Sequence, residues 1–227
     1  MRSASSLHGA RAYDVNAVVG STIEVFADIW CPFAHVGLRA LDEQRILSGR
    51  RDVTIRVRAW PLELVNGNAM DPLTTQAHVE HLREQVAPLM FNDFRVDHFP
   101  TSTLEALALV ERAYRADLRL GERASFTVRD ALFEHGSDIS DRQVVADLAE
   151  RLGLGLPDDD DREAVLADWH DGRARGVLGS PHFYCGQTSS FCPSLRISKD
   201  PQLGVSIQRD AARLTDFLQQ CLKTNAP

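Results

Sequence analysis

The chain has 227 residues and a net charge of −7, with 25 Lys and Arg against 32 Asp and Glu. An acidic chain lacks the excess of positive charge that binds a phosphate backbone, which argues against a nucleic-acid partner. No stretch approaches the roughly 20 apolar residues that a membrane helix needs, so we expect no membrane partner. Residues 1–20 lack the apolar core of a secretory signal; we interpret them as an N-terminal extension and expect a cytoplasmic protein.

The first predicted elements form a β-α-β unit. Residues 22–28 (TIEVFAD) alternate as a strand does, 34–47 place apolar residues at nearly helical spacing, and 53–59 alternate again. Pro32 falls in the first turn of the helix, where proline is tolerated best. Such a unit implies a parallel strand pair with a right-handed crossover.

The middle of the chain changes to helical patterns, and residues 73–173 hold no convincing strand. Predicted helices cover 104–118, 124–134, 141–152 and about 158–171. Ser140 and Gln143 have the spacing of a capping box for the third of these helices. The acidic run 158–161 suits the positive end of the fourth helix better than it suits a metal site, and we predict no metal centre.

Strand patterns return after a loop at 176–181 (GVLGSP). We predict strands at 182–185 and 191–195 with a turn at 186–190 between them, and a closing helix at about 208–222. The order of elements predicts an α/β fold interrupted by a helical insertion.

The four cysteines are Cys31, Cys185, Cys192 and Cys221. They include no CxxC pair, which argues against zinc, and in a reducing cytoplasm we expect thiols rather than structural bridges. Cys185 and Cys192 flank the predicted turn and could face each other across a hairpin, although two free thiols is the favoured interpretation. Cys221 is assigned to packing.

Cys31 lies between the end of the first strand and the start of the first helix. Backbone N–H groups and the positive end of the helix dipole meet there, and both stabilise a thiolate and lower its pKa. Because the thiolate is the nucleophilic form, Cys31 is a candidate catalytic residue. Position alone leaves open the alternative of a buried, inert cysteine.

Residues 28–37 (DIWCPFAHVG) resemble the active-site segment of the DsbA-like oxidoreductases, particularly the FrnE-like branch, whose pattern is D-x-x-C-P-W-C-x-x-G. Four residues match that pattern: Asp28, Cys31, Pro32 and Gly37. Ala34 stands where the family has its second cysteine. Residues 131–141 are similar to the family's helical domain, and 176–183 to its cis-proline loop. The sister families, kappa-class glutathione transferases and 2-hydroxychromene-2-carboxylate isomerases, carry serine at both cysteine positions.

The resemblance implies a thioredoxin-like fold with an inserted all-helical domain. The implied units are a thioredoxin-like domain at 21–65 and 175–222 and a helical domain at 66–174. In such folds the proline, here Pro181, is cis and packs beside the nucleophilic Cys31. The backbone of Ser180 would then pair with a bound thiol peptide.

The predicted site surrounds Cys31. The implied substrate-binding residues are Trp30, Pro32, Phe33, Ser180 and Pro181. His35 and His182 are candidate catalytic residues, because a protonated imidazole near the sulfur would stabilise the thiolate. The alternatives are an exposed helix residue for His35, a strand residue for His182 and core packing for Trp30. Asp28 is either a proton acceptor or a strand-end cap.

The missing second cysteine decides the predicted function. Cys31 with Ala34 cannot form a local disulfide, so we predict a monothiol thiol–disulfide oxidoreductase or thiol transferase, resolved by a second free thiol. We expect no permanently bound cofactor. A low-molecular-weight thiol (glutathione or a mycothiol-like compound) is the expected co-substrate, and a small-molecule thiol or a protein disulfide is the expected partner. We allow for a homodimer. Two alternatives stay open: a kappa-like transferase or isomerase that uses Cys31 in place of serine, and a redox-inactive ligand-binding protein.

Overall fold

One mixed sheet carries the two ends of the chain. The structure, a computed structural model, describes residues 22–200 and 204–224, so the predicted extension at 1–20 lies outside the described residues. The strands are β1 (Thr22–Ala27), β2 (Thr54–Ala59), β3 (His182–Cys185) and β4 (Thr188–Phe191). Their order is β2-β1-β3-β4, and β3 is antiparallel to both of its neighbours. β1 and β2 are parallel and joined by α1 (Pro32–Leu47), which confirms the predicted β-α-β unit.

The segment between β2 and β3 is helical, as predicted. Its helices are α2 (Leu62–Asn66), α3 (Pro72–Gln85), α4 (Leu104–Ala116), α5 (Leu118–Phe133), α6 (Arg142–Arg151) and α7 (Asp159–Ala174), with a 3₁₀ turn at Val96–His98. No strand lies between residues 60 and 181, a range that the structure describes throughout. The fold is therefore thioredoxin-like with an inserted helical block, which confirms the predicted fold class.

The cap of α6 differs from the predicted one, whereas the acidic run 158–161 begins α7 as predicted. Asp141, not Ser140, caps α6 by accepting the N–H of Gln143 at 2.7 Å. The hydroxyl of Ser140 instead donates to the carboxylate of Asp138 and accepts the N–H of Thr101 at 3.2 Å. The reciprocal capping box belongs to α7, where Asp158 and Asp161 accept each other's backbone N–H.

The C-terminal part contains a second, two-stranded sheet that the sequence pattern does not reveal. β5 (Leu195–Asp200) and β6 (Gly204–Arg209) are antiparallel, and the closing helix is α8 (Ala211–Thr224). The predicted strand at 191–195 and turn at 186–190 are wrong, since the turn after β3 is only two residues long and β4 begins at Thr188. β5 lacks an apolar alternation because it is exposed after Leu195.

Helices cover both faces of the main sheet. On one face, α1 and α8 pack against alternate residues of β1 and β2 and against Phe183 of β3. On the other face, Phe26 packs edge-on against Trp60 and Tyr184. α7 approaches this second face closely, since a Cβ at Gly172 would stand 2.6 Å from the ring of Trp60. Glycine is needed there for the close approach of helix and sheet.

The edge of the sheet at β2 is closed by side chains of the helical block. An edge strand exposes unpaired N–H groups, and a buried one needs partners for them. The three bonds are Ile55 N to Glu122 Oε2 at 3.0 Å, Val57 N to Tyr114 Oη at 2.8 Å, and Ala59 N to Asp168 Oδ2 at 3.0 Å. Three helices, α5, α4 and α7, thus use polar side chains in place of a fifth strand.

One disulfide corrects the expectation of four thiols: Cys185 of β3 is bonded to Cys221 of α8. Cys185 and Cys192 do not face each other, because the turn is short, and of the two only Cys192 is the free thiol that was expected. In the observed register Cys185 faces Thr188, which puts Cys192 at the opposite end of the hairpin. Cys31 and Cys192 are free and buried.

Glu122→Ala should lower the free energy of unfolding by about 3–5 kcal/mol. The carboxylate pairs with buried Arg45 through bonds of 2.6 and 3.1 Å and also accepts the N–H of Ile55. Its removal leaves the N–H of Ile55 without a partner and leaves Asp42 as the remaining acidic partner of Arg45. Urea denaturation measures the loss.

The control is Asp52→Ala, which breaks the exposed ion pair with Arg50 and should change stability by less than about 1 kcal/mol. Equal effects of Glu122→Ala and Asp52→Ala would contradict the proposed role of the β2 edge.

Candidate active site

Cys31 occupies the predicted position at the start of α1. It is the N-cap residue, with φ −79° and ψ 108°, and Pro32 follows as the first helical residue. The carbonyl of Cys31 accepts the N–H groups of Ala34 and His35, each at 3.1 Å. Only 5% of the residue is exposed. The strand-to-helix turn therefore holds the thiol at the positive end of a 16-residue helix.

The proline loop lies against this thiol. The Ser180–Pro181 bond is cis, as predicted. Cys31 Sγ donates to the carbonyl of Ser180 at 3.0 Å, and the hydroxyl of Ser180 accepts the N–H of Asp28 at 3.0 Å. The structure thus brings together Cys31, Pro32, Ser180 and Pro181, although 149 positions separate the first from the third.

Burial raises the pKa of the Cys31 thiol above its ordinary value. The hydroxyl of Ser180 and the N–H groups of Ala34 and Phe33 act in the opposite direction but do not outweigh burial, and the charge of Asp28 adds to the rise. The prediction of a lowered pKa is therefore wrong for this conformation. The helix terminus favours the thiolate as expected, but the sequence does not show how completely water is excluded.

Asp28 is a buried carboxyl that ties the Cys31 turn to the helical block. It accepts the N–H of Trp30 at 3.3 Å and also the N–H of Leu62 in α2. Burial raises the pKa of Asp28 to about 6, while these bonds and one from Thr103 oppose the rise. At neutral pH the group is mostly ionised, so a negative charge lies near the thiol.

Arg129 of α5 is a buried cation that the sequence analysis missed. Its Nη1 donates to the carbonyl and hydroxyl of Ser125 at 2.9 and 2.7 Å, while Nε and Nη2 have no hydrogen-bond partner among the described residues. Burial lowers its pKa to about 10, and the charges of Asp28 and Cys31 are among those that oppose this shift. The sequence does show an arginine within the apolar stripe of α5. That position alone does not indicate that Arg129 lies near Asp28 and Cys31.

His35 is buried and bonded away from the loop. Its Nε2 lies 2.8 Å from Glu134 Oε1, and its ring packs against Phe91 and Phe133. Burial lowers the pKa of His35 despite the carboxylate. Burial would raise the pKa of Glu134, but His35 and two backbone N–H groups outweigh it and hold that pKa near 2. The structure assigns His35 to a link between α1 and the end of α5; a catalytic role stays a prediction.

His182 opens β3 directly after Pro181. Its Nδ1 accepts the N–H of Leu178 at 3.1 Å, and its ring packs against Tyr184 and Phe191. Burial lowers its pKa, and Arg175 adds to the effect. These contacts stabilise the loop before the proline, and a catalytic role for His182 also stays a prediction.

The two predicted aromatic contacts differ in exposure. Trp30 is completely buried and stacks on Phe99 with ring centroids 6.0 Å apart, so it belongs to the core in this structure. Phe33 is half-buried and packs against His78, which leaves part of its ring on the surface beside the turn. Of the two, Phe33 has exposed ring surface, and its role in substrate binding stays a prediction.

The described residues contain no group of three or more His, Cys, Asp or Glu side chains that could hold a metal ion. No helix among them is long and apolar enough to cross a membrane.

The fold and site define a class: a thioredoxin-like protein with a cysteine at the first helix N-terminus beside a cis-proline loop. The family described as the DSBA-like thioredoxin domain matches residues 22–198. The chain belongs to this family. No curated protein matches it.

Solved structures with the same fold share little sequence with the chain. A probable DsbA oxidoreductase from Streptomyces coelicolor is 22% identical, with a TM-score of 0.60 over 91% of this chain and 92% of that one. The cytosolic disulfide reductase DsbM from Pseudomonas aeruginosa, solved with GSH, is 16% identical, with a TM-score of 0.57 over 89% and 99%. A 2-hydroxychromene-2-carboxylate isomerase is 18% identical, with a TM-score of 0.55 over 75% and 88%. At these identities the likeness shows the fold alone.

Removing either buried charge should move the pH dependence of Cys31 alkylation. Arg129→Gln should raise the pH at which iodoacetamide reacts half-maximally, because a positive charge near the thiolate is lost. Asp28→Asn should lower it, because a negative charge is lost. We expect a several-fold change in rate at pH 8 for each, in opposite directions, measured by peptide mass spectrometry.

Arg123→Gln is the matched control, since Arg123 lies on the exposed face of the same helix. Its profile should coincide with that of the wild type. A shift in the same direction for Asp28→Asn and Arg129→Gln would show that packing, not charge, sets the reactivity of Cys31.

Proposed function

We propose that the chain is a thiol–disulfide oxidoreductase whose attacking group is Cys31. One observation carries the proposal: Cys31 Sγ is the N-cap sulfur of α1 and lies 3.0 Å from the carbonyl of Ser180, beside Pro181. The N–H groups of Phe33 and Ala34 favour the thiolate form of Cys31, and the Ser180 carbonyl marks where an extended thiol peptide would pair. The Cys-Pro motif and the proline loop therefore form one site.

The proposed reaction begins with loss of the Cys31 proton to solvent. The thiolate attacks one sulfur of a disulfide, the Cys31–sulfur bond forms, and the other half of the substrate leaves as a thiolate. A second thiol then attacks the mixed disulfide and regenerates Cys31. The raised pKa makes the thiolate scarce at neutral pH, but a more basic thiolate is the stronger nucleophile. The rate should therefore rise with pH beyond neutrality.

The absence of a second cysteine in the first helical turn limits the local chemistry. Ala34 is completely buried at that position and offers no sulfur. We propose a low-molecular-weight thiol, glutathione or a mycothiol-like compound, as co-substrate; the DsbM structure with GSH supports this class of ligand on this fold. A protein disulfide is the other candidate partner. The cytoplasmic location and the homodimer stay predictions.

The isomerase alternative has the shared fold in its favour, and no contact at Cys31 favours it further. The ligand-binding alternative differs from the proposal in one measurable respect, because it needs no reactive Cys31.

Cys31→Ser should abolish the mixed disulfide that the protein forms with oxidised glutathione. The serine hydroxyl keeps the N-cap position but is not a nucleophile toward disulfides at neutral pH. Intact mass under non-reducing conditions measures the adduct. The triple variant Cys185→Ser/Cys192→Ser/Cys221→Ser should still form it. An adduct of equal yield on Cys31→Ser would place the reactive thiol elsewhere.

Ala34→Cys should add a local redox pair and with it an insulin-reductase activity at least tenfold above that of the natural chain, because intramolecular resolution has a high effective concentration. Ala34→Ser is the matched control and should add none. If Ala34→Cys gains nothing while the protein still binds glutathione non-covalently, the ligand-binding interpretation replaces the enzyme.

A further inference from the structure

Cys192 reaches the proline loop from the side opposite Cys31. Its backbone N–H donates to the carbonyl of Pro181 at 3.0 Å, which continues the ladder between β3 and β4 by one residue. Cys31 Sγ bonds to the carbonyl of the preceding residue, Ser180, at 3.0 Å. Two consecutive carbonyls of one loop therefore contact the two cysteines that are outside the disulfide.

Cys192 stands beside the part of the loop that meets α1. Pro181 and Phe183 both reach this helix, since a Cβ at Gly37 would stand 3.4 Å from Pro181 Cγ and 3.8 Å from Phe183 Cζ. Cys192 is bonded to Pro181, and its side chain belongs to the same buried apolar cluster as Val36 of α1. Cys192 is therefore part of the packing around the helix that Cys31 caps.

Cys192 also has an unusual backbone conformation. Its φ of 45° is in the left-handed region, which residues other than glycine adopt at a cost. Such conformations persist where the surrounding contacts enforce them, and they cluster at functional sites. The thiol is only 4% exposed. Burial first, and then the charge of Cys31, raise the pKa of Cys192 to about 12, so the two sulfurs interact electrostatically.

We propose that Cys192 is the resolving cysteine that the local motif lacks. The proposal rests on the proposed function, because it needs a mixed disulfide on Cys31. Cys192 Sγ attacks Cys31 Sγ, the Cys31–Cys192 bond forms, the bond from Cys31 to the substrate breaks, and the proton of Cys192 goes to the departing substrate thiolate. The substrate disulfide has then gained two electrons and become two thiols. Two equivalents of a low-molecular-weight thiol reduce the Cys31–Cys192 bond and leave as one disulfide.

The Cys31–Cys192 bond places a demand on the backbone of Cys192, because a disulfide needs the two Cα atoms within about 7 Å. Cys192 lies in the connection between β4 and β5. Two bonds hold its backbone: its N–H to Pro181 and its carbonyl, which accepts the N–H of Leu195 at 3.4 Å. Closing the bond would alter these two contacts and leave the pairing of His182–Cys185 with Thr188–Phe191 in place.

Equilibration with glutathione buffers tests the inference. The wild type, Cys192→Ser and Cys192→Ala are incubated at a fixed concentration of oxidised glutathione and varied reduced glutathione, quenched with acid and mapped by non-reducing mass spectrometry. An internal Cys31–Cys192 bond depends on the square of the reduced glutathione concentration, whereas a mixed disulfide depends on its first power. In the wild type we expect the oxidised state to depend on the square of the reduced glutathione concentration. In both variants we expect it to depend on the first power, with at least tenfold more glutathione on Cys31. Cys192→Ala provides the test if Cys192→Ser does not fold.

The double variant Cys185→Ser/Cys221→Ser is the control and should behave as the wild type. Equal glutathione adducts on Cys31 in the wild type and in Cys192→Ser, with no Cys31–Cys192 peptide, would overturn the inference and leave the proposed function intact. No adduct on Cys31 in any variant would overturn both. Loss of the oxidised state in the double variant would assign resolution to Cys185 and Cys221 instead.

Discussion

The burial of the β2 edge is the constraint on which the site depends. Glu122, Tyr114 and Asp168 satisfy strand N–H groups that would otherwise face a helix surface without partners. These bonds fix the helical block at one height along the sheet. Because Arg129 and Glu134 belong to the same block, the block brings a buried cation and a histidine partner to the first helix of the sheet domain.

The buried position of Cys31 follows from this packing and has a direct effect on the pKa of the thiol. Exclusion of water raises the pKa of the thiol, while the helix terminus and Ser180 oppose the rise. Asp28 and Arg129 place opposite charges nearby, so the reactivity depends on a balance that one substitution can shift. In the proposed reaction, the buried thiol is protected until a substrate reaches it and then attacks as a basic, strongly nucleophilic thiolate.

The sequence predicted the parts of the protein that depend on local patterns. β1, α1, β2, the helical block and the position of Cys31 follow from periodicity and from the Cys-Pro motif. The Cys185–Cys221 bond could not be predicted in this way, because it depends on the register of a hairpin whose turn has two residues rather than the predicted five. The burial of Arg129 and the raised pKa of Cys31 were missed for a related reason. Both depend on contacts between segments distant in the sequence, which spacing along the chain does not report.

The central claim is that Cys31 is the exchange thiol and that the loop beside it receives the substrate. A crystal structure of the Cys192→Ser variant after reaction with oxidised glutathione tests this most directly. We predict continuous electron density from Cys31 Sγ into glutathione, with the peptide part of the ligand paired to the backbone at Ser180. Glutathione bonded to another cysteine, or bound while Cys31 Sγ still donates to the Ser180 carbonyl, would contradict the account.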